Sequence, residues 1–201
     1  MNKRHLTACA LLASALVLTA CSNGGNDTAA GTGTGASSPA AETAQGNDAD
    51  IDFLNGMKPH HEQAVEMSEI VLAANPPAEV AALAQRVKDA QSPEIEQMNM
   101  MLTGLGEPAD SMPHSGGHSA GMAGHGGMMS DGDMSALMGA TGNDAARLYL
   151  EGMVKHHQGA IEASDAAIAD GQYAPTIELA KTIKTAQQAE IAEMQALLES
   201  L

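Results

Sequence analysis

The sequence predicts an all-α protein, a four-helix bundle made of two duplicated α-hairpins. Three observations carry that expectation. Residues 52–102 align with residues 148–198 at a constant offset of 96, without gaps, and 19 of the 51 positions are identical. Identity at that level across a fixed period marks a duplicated unit. Within each copy, apolar residues recur at helical rather than alternating spacing. Finally, 44% of the chain is apolar but only 1% is aromatic (Phe53, Tyr149 and Tyr173), so Ala, Leu, Ile, Val and Met must fill the core. That composition favours helices over a β-sandwich.

Taken in order, the chain opens with a basic pair, Lys3 and Arg4, followed by an apolar run from Leu6 to Leu18. Residues 1–20 thus read as a secretion signal, since thirteen residues are too few to span a bilayer as a permanent helix. The run ends Leu18-Thr19-Ala20-Cys21, which resembles a bacterial lipobox. That resemblance implies cleavage before Cys21, lipid on Cys21, and a protein anchored on the outer side of a bacterial membrane. Cys9 leaves with the signal, so the mature chain keeps no cysteine pair and has neither an intramolecular disulfide nor a thiolate metal site. Residues 21–48, rich in Gly, Ser, Thr, Ala and Asn, form a flexible linker.

The helical domain is expected over 49–201. In the first hairpin, Leu54, Met57, Ala64, Met67, Val71 and Leu72 form one stripe, broken by Asn75-Pro76-Pro77. A second helix follows from about Ala78 to Leu102, with Val80, Leu83, Ala84, Val87, Ile95, Met98 and Leu102 on one face. In the second hairpin Asp170-Gly171 ends the first helix, and Pro175 sits in the first turn of the next. Pro59 and Pro93 fall inside helices of the first copy and are expected to kink them. Residues 104–143, between the hairpins, are rich in Gly, Met and His and are expected to be disordered, with no stable helix before about Met134.

The formal net charge is −16, near −18 once Lys3 and Arg4 are removed with the signal. This argues against nucleic acid and against electrostatic binding to an anionic membrane surface. It attracts cations without choosing among them.

Selectivity would come from a motif that occurs in both copies. Met57 precedes His60-His61, and Met153 precedes His156-His157, by three and four residues. On a helix those spacings set a thioether beside imidazoles. Folding each hairpin about its turn brings Gln91, Glu94 and Met98 to the level of the first pair, and Gln187, Glu190 and Met194 to the level of the second. His61 is then expected opposite about Gln91 and His157 opposite about Gln187. Neighbouring helical residues point about 100° apart, so one imidazole of each pair can face its own hairpin and the other the partner hairpin. Soft thioether with imidazole suits Cu(I), whereas carboxylate-rich sites suit Mg, Ca or Mn. A Glu-x-x-His di-iron pattern, a His-Glu-x-x-His zinc motif and a Cys-x-x-Cys-His haem motif are all absent.

The candidate metal residues are therefore Met57, His60, His61, Glu94, Met98, Met153, His156, His157, Glu190 and Met194. Glu94 and Glu190 would act as ligands or as acceptors orienting the imidazoles. A second, capturing set would lie in the loop: His114, His118, Met122, His125, Met128 and Met129. The plain alternative is that the methionines are core filler, which is the reading for Met67 and Met101. Glu66 and Glu162 are expected to be solvated.

At these residues the chain resembles the domain-of-unknown-function 305 family. The matching motifs run from Asp52-Phe53-Leu54 through Met57-Lys58-Pro59-His60-His61 to Met67, and from Met153 to Ile161. Ala90-Gln91 to Met98 and Ala186-Gln187 to Met194 complete them. The resemblance implies a ferritin-like bundle, often secreted or lipid-anchored in bacteria, with some members binding copper in resistance. The function expected is an extracytoplasmic, lipid-anchored protein that binds Cu(I) to sequester it, confer resistance or deliver it. Its partners would be the metal ion, a metal-trafficking protein or a second copy, and it would not be an enzyme. A copper-dependent oxidase and a metal-free cell-envelope interaction protein are the alternatives.

Overall fold

The computed structural model describes residues 46–107 and 126–201. Five helices follow one another: α1 Asp48–Ala73, α2 Ala78–Gly104, α3 Asp131–Gly139, α4 Gly142–Asp170 and α5 Ala174–Ser200. The four long helices form the two expected hairpins. α1 pairs with α2, α4 with α5, and the hairpins pack chiefly through α1 against α4. Among the described residues no helix is long and apolar enough to cross a membrane.

Local chemistry sets the boundaries. Asn47 caps α1 in a capping box with Asp50, which satisfies two otherwise orphaned N–H groups. Asn75, at φ 55, takes the left-handed turn that ends the first helix, a conformation Asn tolerates better than most residues. Pro175 lies in the first turn of α5, where its missing N–H costs nothing. Both α1 and α2 run on as continuous helices through Pro59 and Pro93.

One expectation needs correction. The span 104–143 is not structureless throughout: α3 begins at Asp131, ahead of Met134. Its Ser130 N-cap accepts from the Asp133 N–H, and Asp133 accepts from Ser130 in return. Met134 and Leu137 of α3 are buried against α1 and α4. The cap starts the helix in spite of Gly132, and two apolar anchors hold it. The Ser130 hydrogen bonds hold the Asp133 carboxyl below its ordinary range.

The core is divided. One apolar cluster joins the start of α1 and end of α2 to the end of α4 and start of α5, through Phe53, Leu54, Leu102, Ala163, Leu179 and Ile183. The other joins the end of α1 and start of α2 to α3, the start of α4 and Met194, through Val71, Leu83, Val87, Leu137, Tyr149 and Leu150. These groupings set α1 antiparallel to α4. Between the clusters lies a buried polar layer of His60, His61, Gln91, His156, His157 and Gln187.

The two halves are joined by contacts that do not repeat. Asp50 is fully buried, and its Oδ2 accepts from the backbone N–H groups of Asn47, Gln172 and Tyr173 at 2.9, 3.0 and 3.0 Å. It thus ties the start of α1 to the α4–α5 turn. Gly171 makes room for it, because a Cβ there would lie 2.7 Å from Asp50 Oδ1. The position 96 residues on is Ala146, which can do none of this. On the other side the Tyr149 hydroxyl meets Ser68 Oγ at 3.1 Å, and burial pushes its pKa up. Replacing Asp50 by Ala removes a carboxylate that serves three backbone donors, so unfolding free energy should fall by about 2–4 kcal/mol in urea titration. A loss under about 0.5 kcal/mol, the size of an ordinary surface change, would contradict this role for Asp50.

Candidate metal centre

The four histidines sit where α1 crosses α4. His60 and His156 occupy equivalent positions of the repeat, and their ring centroids are 3.6 Å apart with planes tilted by 39°. The pseudo-two-fold axis relating the hairpins therefore passes between these two rings. His61 and His157 turn the other way, each toward its own hairpin. His61 Nε2 lies 2.9 Å from Glu94 Oε2, and His157 Nε2 lies 2.8 Å from Glu190 Oε2. The adjacent-residue geometry of the helix thus splits each pair, one ring to the partner hairpin and one to its own.

The hairpin partner is Glu94 rather than the residue placed opposite by simple reflection about the turn. Gln91 and Gln187 lie one turn away, both 3% exposed, with Oε1 of each and Nε2 of Gln91 lacking any partner among the described residues. Met57, Met98, Met153 and Met194 are all fully buried. Met57 and Met98 belong to one apolar cluster, Met153 and Met194 to the other. Met57 and Met153 are one helical turn from the histidine pairs, and Met98 and Met194 one turn from Glu94 and Glu190, so thioethers lie on both sides of the layer. Glu66 and Glu162 are exposed, as expected.

Hydrogen bonding determines which imidazole nitrogen is available. An ionised carboxylate only accepts, so Nε2 of His61 and of His157 carries the proton. In a neutral ring this leaves the lone pair on Nδ1. Nδ1 of His61 and His157 is buried and has no hydrogen-bond partner among the described residues. His60 Nε2 lies 3.0 Å from the Gly126 carbonyl oxygen, which also can only accept, so its lone pair likewise falls on Nδ1. His156 is fully buried with no hydrogen bond at either ring nitrogen. Burial first, then the neighbouring histidines His60, His157 and His61, hold its pKa well below the ordinary 6.5, and a backbone contact at His60 acts in the opposite sense.

Buried polar atoms without partners cost about 1–3 kcal/mol each, and native folds carry few. Among the described residues most such side-chain atoms fall in this layer, with Asp50 Oδ1, Asn99 Oδ1 and Thr176 Oγ1 elsewhere, and a carboxylate behind an imidazole is a pattern that metal-ligating histidines use. The donor set fits a soft ion. Among the described residues no three His, Cys, Asp or Glu side chains converge as a ready-made ligand trio; the thioethers of Met57, Met98, Met153 and Met194 are further soft donors buried in the clusters on either side. His114, His118, Met122 and His125, together with Cys21, lie outside the described residues. Met128 and Met129 are half-buried and line a cleft of about 130 Å³ with Asp133, Glu151 and Lys155.

The same burial predicts a pH response. With its folded pKa below that of the unfolded chain, His156 contributes stability that is complete above about pH 6.5 and lost as the pH falls below that value. In metal-free protein the unfolding free energy should decline below pH 6.5 with a contribution approaching about 1.4 kcal/mol per pH unit from this residue. Replacing His156 by Gln should flatten that part of the profile, and an unchanged slope would contradict the assignment.

The fold has relatives among solved structures. A secreted DUF305 protein from Streptomyces coelicolor is 30% identical, with 76% of this chain and 91% of that chain covered and a TM-score of 0.68. A DUF305 fragment from Deinococcus radiodurans is 27% identical over 77% of this chain and 98% of that one, with a TM-score of 0.67. CopM in a Cu(II)-bound form is 26% identical over 75% and 96%, with a TM-score of 0.61. CopM in a Cu(I)-bound form, at 23% identity, shares the fold with a TM-score of 0.61. None of the curated proteins matches the chain. Residues 50–198, the two hairpins and the segment between them, match the domain of unknown function DUF305, and the chain belongs to that family.

Proposed function

We propose that this protein binds copper as Cu(I), outside the cytoplasm and held to a membrane by lipid at Cys21, and that it sequesters the ion or hands it on. The observation that carries this is the buried imidazole layer: proton-bearing Nε2 atoms held by Glu94 and Glu190, and unpartnered Nδ1 atoms on His61 and His157. His60, His156 and the thioethers of Met57, Met98, Met153 and Met194 supply the further donors. Imidazole with thioether suits Cu(I), whereas a set dominated by carboxylate oxygen would suit harder ions. Copper-bound CopM, a structural relative at 26% identity, supports the choice of metal. The relative described as secreted supports the location, and so does the signal-like start of the sequence. Burial of all four imidazoles supports binding rather than catalysis. Met128 and Met129, with His114, His118, Met122 and His125 in the same segment, would take up ions ahead of the bundle.

Two outcomes test this. Anaerobic titration of untagged protein against a colorimetric Cu(I) chelator should show tight binding. Changing His60, His61, His156 and His157 together to Ala should abolish it, and unchanged stoichiometry would make the assignment wrong. Glu94→Ala should keep binding but weaken it about 10–100-fold, the usual effect of losing the acceptor behind a metal-bound imidazole. Glu66→Ala, on the exposed face, is the matched control and should leave affinity unchanged.

A further inference from the structure

The segment entering α3 lies across the helix crossing, and one side chain holds it there. Gln63 makes a two-way amide pair with Met129: its Nε2 donates to the Met129 carbonyl at 3.0 Å, and its Oε1 accepts from the Met129 N–H at 2.8 Å. Three residues earlier the Gly126 carbonyl accepts from His60 Nε2. On the α4 side, contact is too close for any side chain. A Cβ at Gly159 would lie 1.7 Å from the Gly126 oxygen, and one at Gly127 would lie 2.1 Å from the Lys155 oxygen and 3.0 Å from the His156 Cα. The Met129 sulfur rests against Gly152, where a Cβ would meet it at 2.8 Å. The strap Gly126–Ser130 therefore runs over the His60–His156 pair, between α1 and α4.

Gln63 and Gly159 are equivalent positions of the repeat that have diverged. One supplies the amide, and the other supplies the space. His61 and His157 take their orienting acceptors from Glu94 and Glu190 in the hairpins. His60 takes its acceptor from the strap.

We propose that Gln63 is a positioning residue, the latch of a strap at Gly126–Ser130 that orients His60 and closes the route to the His60–His156 pair. With the latch made, His60 keeps its proton on Nε2 and its lone pair on Nδ1, and the pair is shielded. With the latch broken, the acceptor moves away and reagents reach both rings. The consequence for copper rests on the metal-binding reading above; the consequence for the histidines does not.

The test compares wild type with Gln63→Leu, which removes both hydrogen bonds, and with Gly159→Ala, which fills the strap's seat while raising helix propensity. In metal-free protein, modification of His60 and His156 by diethyl pyrocarbonate, followed by mass spectrometry, should accelerate by roughly tenfold or more in both variants. Each tenfold corresponds to about 1.4 kcal/mol of latch energy. Imidazole nitrogen NMR should show His60 losing its preference for the Nε2-protonated form, a change that general loosening of the bundle would not confine to one ring. Gln63→Glu, which keeps an acceptor for the Met129 N–H, should fall between wild type and Gln63→Leu. Cu(I) release to a chelator should accelerate by a similar factor. Modification rates and His60 shifts equal to wild type in both variants would overturn the latch. Wild type that binds no copper would overturn the metal reading, and the modification rates would still decide the latch.

Discussion

The structure depends on burying four imidazoles at the crossing of two antiparallel helices. His60 and His156 meet at the pseudo-two-fold axis with ring centroids 3.6 Å apart, and burial pushes the His156 pKa well below its ordinary value. Two apolar clusters, above and below, exclude water from this level. They must supply the stability that the unpartnered polar atoms remove, at about 1–3 kcal/mol for each such atom. A bundle of this size could fill the same level with leucine and be more stable. Keeping a polar layer there instead, with the same residue types in both halves, is what the proposed metal site would explain.

Duplication makes the site, and divergence makes the molecule specific. The His–Glu pairs repeat almost identically, 2.9 Å in one half and 2.8 Å in the other. What does not repeat orders everything around them. Asp50 ties the start of α1 to the α4–α5 turn, while its counterpart is Ala146. Tyr149 reaches Ser68 through a hydroxyl, while its counterpart is Phe53. Gln63 holds the strap, while its counterpart Gly159 leaves room for it. A symmetric bundle would offer two equal faces at the histidine crossing. The strap that Gln63 holds and Gly159 seats lies over one of them.

The fold and the identity of the central layer were legible in the sequence because both copies carry them. A repeat selects whatever survives at both positions, and this picked out the Met, His, Gln and Glu of the layer. It could not pick out Asp50 or Gln63, which have no like partner 96 residues away. The hairpin partner of His61 was legible only to within a turn. Reflection about Pro76 gives Gln91, but it ignores the rotation of side chains about each helix axis, which brings Glu94 to the imidazole instead. The start of α3 was obscured by glycine, although Ser130-x-x-Asp133 is a capping signal that could have located it. The strap itself leaves no periodic trace, because its docking uses backbone groups and the absence of side chains.

The central claim is that Nδ1 atoms receive the ion while Nε2 atoms stay protonated against their acceptors. Long-range proton–nitrogen correlation of the imidazoles, before and after addition of diamagnetic Cu(I), tests it directly. The account predicts that Nδ1 of His61 and His157 shifts to a metal-bound position while Nε2 keeps its proton opposite Glu94 and Glu190. Nitrogen shifts that stay unchanged on saturation with Cu(I), or a metal bound through Nε2 with the carboxylates displaced, would contradict it.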